Sequence, residues 1–184
     1  IETLVDRALA EDLSAGDITT NILVPSDQMG KGVLVAKEEG ILAGIDVARL
    51  AFIRTDPSLS FTPFMVDSSH LNRGDSNGEP PKNIIAEIEG RVASILSAER
   101  TSLNILRHLS GIASETAKYV RAISDYDTKI LDTRKTTPGL RFLEKYAVRM
   151  GGGHNHRHSL GDGILIKDNH IKVMKRSGIV LKEI

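Results

Sequence analysis

Between residues 132 and 170 the sequence gathers side chains that hold anions. Arg134 and Lys135 follow the apolar run Lys129-Ile130-Leu131, and Lys167 follows the run Ile164-Leu165-Ile166. His156 and Arg157 stand in a glycine-rich turn between them. The two runs predict short buried strands that give way to cations at their carboxyl ends, with a helical pattern linking them. In α/β folds that end of a parallel strand is where ligands bind. Cationic and protonatable groups converging on one rim repel each other unless a multiply charged anion fills the space. The expected ligand is a polyanionic small molecule.

Each residue also has a plainer use. Arg134 and Lys135 would serve as solvated strand caps, and so would Lys167. His154, His156 and His158 alternate, so on an extended segment they share a face and invite a metal ion. No carboxylate or Cys completes that set and Arg157 intrudes, so His156 is read as an anion ligand and the other two as structural. Gly151 to Gly153 either cradle a phosphate with backbone amides or simply turn the chain after the helix. Asp168 and His170 are placed to orient their neighbours. Arg100, beside Glu99, reads on its own as a surface charge.

The elements that must position these groups follow from periodicity. Residues 2–11 carry Leu4, Val5, Ala8 and Leu9 at helical spacing. Residues 17–25 read as extended. Strands are expected at 31–37, 41–43, 60–66 and 83–89, a helix of about ten residues opens after Gly44, and 70–82 reads as loop. From Ser94 an apolar helical stripe runs to Leu109, breaks near Ser110-Gly111, and resumes as a second helix over 113–124. Residues 129–166 then form a βαβ unit with a right-handed crossover. The expected fold is α/β: an N-terminal layer of mostly antiparallel sheet and helices over residues 1–107, then the first part of a parallel α/β unit over 108–184.

Composition narrows the classes. With 24 Lys plus Arg against 24 Asp plus Glu, the formal net charge is +0, so the cations of the rim are a local concentration and no general field favours nucleic acid. Aromatic residues make up 4%, too few for base-stacking platforms. The absence of Cys removes disulfides, thiolate catalysis and Cys-zinc sites. No apolar run reaches the roughly 18 residues of a membrane span and no signal peptide is visible, so a cytoplasmic protein is expected.

Four stretches carry a resemblance: EDLSAGDITTNILVP at 11–25, AERTSLNILRHLSGIA at 98–113, ILDTRKTTPGLR at 130–141 and GGGHNHRHSLGDGILIKDNHI at 151–171. In content and order they resemble the quinolinate phosphoribosyltransferase family. The resemblance implies an α/β sandwich joined to an open α/β barrel. It also implies transfer of phosphoribosyl from phosphoribosyl pyrophosphate to quinolinate, with Mg²⁺ and loss of pyrophosphate and CO₂. It assigns substrate binding to Thr133, Arg134, Lys135, His156, Arg157 and Lys167, with catalytic roles for Lys135 and Lys167. It further implies a homodimer in which Arg100 reaches the neighbouring subunit's site. The family's later acidic residues and 5′-phosphate loops are not in these 184 residues, so a longer polypeptide is expected. Competing expectations are a nicotinate phosphoribosyltransferase or related paralogue of the same fold, a carrier module acylated at Lys82, and an inactive assembly subunit.

Overall fold

The computed structural model describes residues 1–73 and 83–178. In chain order the elements are α1 (Glu2–Leu13), α2 (Ile18–Leu23), β1 (Met29–Val35), β2 (Gly40–Ile41), α3 (Ile45–Thr55), β3 (Ser60–Pro63), β4 (His70–Leu71), β5 (Ile84–Arg91), α4 (Val92–Ala122), α5 (Arg141–Met150) and α6 (Asp168–Arg176). The strands β1-β5-β3 form an antiparallel sheet, and β2 pairs with β4 in a second antiparallel ribbon. The expected antiparallel layer is therefore present. Lys82, proposed above as an acyl carrier, lies outside the described residues.

Two apolar clusters meet along α4. Leu34, Ile85 and Ile88 of the sheet pack with Ala48 and Phe52 of α3 and with Ala98 and Leu106 of α4. The other face of α3 supplies Val47 and Ala51 to a cluster shared by Val5 and Leu9 of α1, Leu109 and Ala113 of α4, and Leu143 and Ala147 of α5. Helix α4 thus presents its first half to the sheet and its second half to the helices that carry the rim. Asp67 adds a polar tie. It accepts from Ile45 N at 3.0 Å, capping α3, and from the Tyr146 hydroxyl of α5. Burial, and then that bond, push the Tyr146 hydroxyl well above its ordinary range.

Several sequence expectations are corrected. Residues 18–23 are helical, not extended, because Asp17 caps them: its carboxylate accepts from Thr20 N at 3.0 Å and Thr20 Oγ1 at 2.6 Å. The strand expected over 60–66 ends at Pro63, and the loop expected from residue 70 begins with β4. The break expected at Ser110-Gly111 is absent, and α4 is continuous from Val92 to Ala122. Ser110 Oγ accepts from Ala43 N at 3.0 Å and Ser114 Oγ accepts from Ile41 N at 2.8 Å. One turn of α4 thereby satisfies the N–H of Ile41 in β2 and that of Ala43 just beyond it. Residues 164–166 are not a strand: Ile164 is 91% exposed and the run lies outside every sheet. Among the described residues, no helix is long and apolar enough to cross a membrane.

Candidate active site

Leu131 makes a parallel bridge, but to His154 and not to the run at 164–166. His154 N donates to Ile130 O at 2.8 Å and Asp132 N donates to His154 O at 3.0 Å. Helix α5 lies between the two segments, which one isolated parallel bridge joins; the buried strand expected at 129–131 does not form, and Leu131 is 52% exposed. The carboxyl ends of these adjoining segments carry Thr133, Arg134 and Lys135 on one side and His156 and Arg157 on the other.

The junction is held by groups that the sequence reading did not single out. Lys145 of α5 is fully buried, and its ammonium donates to Asp132 Oδ1 and, at 3.1 Å, to His156 O. His156 N donates to the same carboxylate at 2.8 Å. The Asn155 amide, oriented to satisfy its surroundings, donates to Asp132 Oδ2 at 2.7 Å and Lys145 O at 2.9 Å. Glu144, the preceding residue on α5, accepts from Thr137 N at 3.1 Å and pairs with His108 Nε2 of α4 at 2.9 Å. Burial pushes the Glu144 carboxyl up, but the bonds from Thr137 and His108 outweigh it and hold it below its ordinary value. Glu144 therefore pins the loop that follows Lys135 to both helices. An Asp and a Lys 13 positions apart carry no pairing signal in a sequence, so this scaffold could be found only in three dimensions.

Above that scaffold the cations are open to ligand. Lys135, His156 and Lys167 are not buried, and Thr133 Oγ1 accepts from Lys135 N at 3.0 Å. Arg134 is half-buried, and its Nε is buried without a hydrogen-bond partner among the described residues. Arg157 Nη1 donates to Gly163 O at 3.0 Å. Its loop is closed by Asp162, which accepts from His158 N at 2.8 Å and Ser159 N at 2.9 Å. The Ser159 and His158 amides hold the Asp162 carboxyl below its usual range. Among the described residues, none of Arg100, Arg134, Lys135, Arg157 and Lys167 pairs with a carboxylate.

Two expected residues are not brought to this junction. Lys167 precedes α6 as its N-cap residue, where its backbone N–H donates to His170 Nδ1 at 2.9 Å, and among the described residues no hydrogen bond or ion pair ties its side chain to Thr133, Arg134, Lys135, His156 or Arg157. The same bond gives His170 an orienting role. Arg100 sits exposed on α4, eight residues before His108 and thus about 12 Å along the helix from it.

The glycine turn is a matter of packing. Gly151, Gly152 and Gly153 donate their amides to the Ala147, Arg149 and Val148 carbonyls, closing the C-terminus of α5 and leaving none to cradle a phosphate. A Cβ at Gly151 would lie 2.2 Å from Ala113 O. No group of His, Cys, Asp or Glu side chains converges to hold a metal ion among the described residues, so the alternating histidines find no such role. A hollow of about 730 Å³ lies along α4, lined by Asn104, Arg107, His108, Gly111, Ile112 and Glu115, and includes none of the rim residues.

The structure thus sets two segments joined by a parallel bridge, with exposed cations just beyond them, beside an antiparallel layer, which is the mixed α/β class. Comparison makes the class specific. The family models for the quinolinate phosphoribosyl transferase N-terminal and C-terminal domains match residues 17–110 and 112–183. The chain belongs to the quinolinate phosphoribosyltransferase family. It is 44% identical over 171 residues to the probable nicotinate-nucleotide pyrophosphorylase [carboxylating] of Bacillus subtilis, covering 93% of this chain and 56% of that protein. It is 45% identical over 173 residues to the corresponding Mycobacterium leprae protein, covering 91% and 57%. The crystal structure of NadC from Streptococcus pyogenes superposes with a TM-score of 0.88 at 44% identity, covering 99% of this chain and 61% of that one. The chain spans little more than half the length of the curated relatives it matches.

Proposed function

We propose that this chain carries the acid-binding rim of a decarboxylating phosphoribosyltransferase, which converts quinolinate and phosphoribosyl pyrophosphate to nicotinate mononucleotide, pyrophosphate and CO₂ in NAD biosynthesis. The observation that carries the reading is the state of Arg134. Its Nε is buried without a partner among the described residues, while the carboxylate two residues away is occupied by Lys145, His156 and Asn155. The rest of this half-buried guanidinium pairs with no carboxylate among the described residues, and a ligand carboxylate can meet such a planar fork through two parallel bonds. Quinolinate offers two carboxylates to a rim that offers several cations. A monocarboxylate would leave more of them unanswered.

In the proposed reaction the pyridine nitrogen bonds to C1′ of the ribose as the bond to pyrophosphate breaks, and pyrophosphate departs with the electron pair. The pyridinium then draws the electron pair of the ring–carboxylate bond, CO₂ leaves, and that carbon takes up a proton. The chain's part is to hold and orient. Arg134 and Arg157 fix the carboxylates so that the ring nitrogen faces C1′. Lys135 supplies compact charge toward groups that become more negative as the bond breaks; Lys167, ahead of α6 and away from this junction, is given the same part by the family resemblance alone. The cations nearest the departing carboxylate must hold it without making it too stable to leave.

Mg²⁺ belongs to this reading as the companion of the pyrophosphate, where it would neutralise leaving-group charge. The described residues do not form a carboxylate cluster fit to hold it, and Asp132 is already engaged. No residue of this chain is therefore assigned to the metal. A homodimer is part of the same proposal. It is supported by the exposure of Arg100 on α4.

The test is to supply the full-length protein with phosphoribosyl pyrophosphate, Mg²⁺ and quinolinate labelled in its 2-carboxylate. Labelled CO₂ and nicotinate mononucleotide are expected in equal amounts. Product formed from nicotinate, with no CO₂ released from quinolinate, would overturn the assignment.

A further inference from the structure

We propose that Lys145 is a positioning residue for acid binding: it discharges Asp132 so that Arg134 and Lys135 stay free for the substrate. The inference rests on the functional reading above and goes beyond it by assigning work to a residue that no ligand can touch. Lys145 is fully buried on α5. A buried ammonium is a poor device for stability, since apolar residues of similar volume commonly do as well. Its value must lie in what it meets.

It meets the two strand ends at once. Its Nζ donates to Asp132 Oδ1 on one and to His156 O on the other, while His156 N donates back to Asp132. Asn155 donates to the second Asp132 oxygen. Three donors from two elements thus occupy the carboxylate. Asp132 stands two residues before Arg134, whose Nε has no partner among the described residues. Without the ammonium, the Asp132 carboxylate would keep only its neutral donors, His156 N–H and Asn155, and its uncompensated charge would attract the guanidinium two residues away. Arg134 would then be lost to the ligand. With Lys145 in place the two charges cancel inside the protein, and the rim keeps its positive surplus facing outward.

The experiment compares wild type, Lys145→Met and the double variant Asp132→Asn/Lys145→Met in the full-length protein, measuring quinolinate and phosphoribosyl pyrophosphate binding separately. Lys145→Met should weaken quinolinate binding by about tenfold or more while leaving phosphoribosyl pyrophosphate within about twofold, as expected when one partner of a charge pair is removed near a single subsite. The double variant has no carboxylate to capture Arg134, and the amide oxygen introduced by Asp132→Asn still accepts from His156 N–H. Its quinolinate binding should return to within about threefold of wild type. A merely structural lysine would lower both affinities or the folded fraction and would show no such split. Quinolinate binding at wild-type strength in folded Lys145→Met overturns the inference. So does a folded double variant that binds about tenfold more weakly than wild type, and this second measurement decides the matter if the single variant does not fold. A wild type that binds no quinolinate would overturn the functional reading itself, and this inference with it.

Discussion

Among individual residues, the groups with outward-facing charge were legible in the sequence and the groups that hold them were not. Arg134, Lys135, His156 and Arg157 announce themselves by type, by position after an apolar run and by their place in family-like motifs. Asp132, Glu144, His108 and Lys145 act through contacts between distant positions, which neither spacing nor periodicity records. Asp56 is a comparable hidden group in the N-terminal layer. It is 4% exposed, accepts from Ser58 Oγ at 2.7 Å and Ser94 Oγ at 2.7 Å, and pairs with Arg91 Nη2 at 2.8 Å. The Ser58 and Ser94 hydroxyls, against the opposing effect of burial and with help from Arg91, depress its carboxyl far below the ordinary range. Its folded value therefore lies below the unfolded value of about 3.9. The stability it contributes is fully present above that unfolded value and is lost as pH falls toward the folded one. Asp56→Asn should flatten the decline of the urea midpoint below about pH 4. Parallel acid limbs for the variant and wild type would remove Asp56 from that role.

At the level of elements, long amphipathic segments were readable and short or interrupted ones were not. α1, α3, β1 and β5 lie within a few residues of where hydrophobic spacing puts them. α2 escaped notice because Ile18, Thr19 and Thr20 favour extended backbone locally, and the Asp17 cap overrides that preference. The apolar run at 164–166 imitates a strand but has no strand beside it, whereas His154, flanked by glycine and polar residues, forms the bridge. Ser110-Gly111 looks like punctuation, yet the serine hydroxyl bonds Ala43 and a Cβ at Gly111 would meet only open space. The close contact of α4 with the end of α5 is the more demanding feature. A methyl at Gly151 would lie 2.2 Å from Ala113 O and 2.8 Å from Thr116 Cβ, so one helix end must move. Gly151→Ala should cost about 1–3 kcal/mol by chemical denaturation, the usual cost of overpacking. Because α5 carries Glu144 and Lys145, acid binding should weaken with it. An unchanged denaturation midpoint would show that the helices are not held as closely as described.

For the molecule as a whole, the antiparallel layer, the shared helix α4 and the two bridged segments make a frame whose open rim faces away from the core. Its α/β class and its order of layers were readable from periodicity together with four family-like motifs, but the place where the parallel bridge forms was not. Arg100 is exposed on α4 and pairs with no carboxylate among the described residues, so it is free to meet a neighbour. Mixing full-length Arg100→Ala and Lys135→Ala subunits should restore turnover to a fraction of the dimers, because one site in each mixed dimer receives both intact groups. Well-mixed dimers with no recovery would mean that no site is shared. The central claim is that this rim is matched to a doubly charged planar acid, and calorimetric titration of one protein preparation with quinolinate and then with nicotinate tests it most directly. Quinolinate should bind the more tightly, by about tenfold or more for the additional charge-assisted contact. Equal affinity, or tighter binding of nicotinate, would contradict the account.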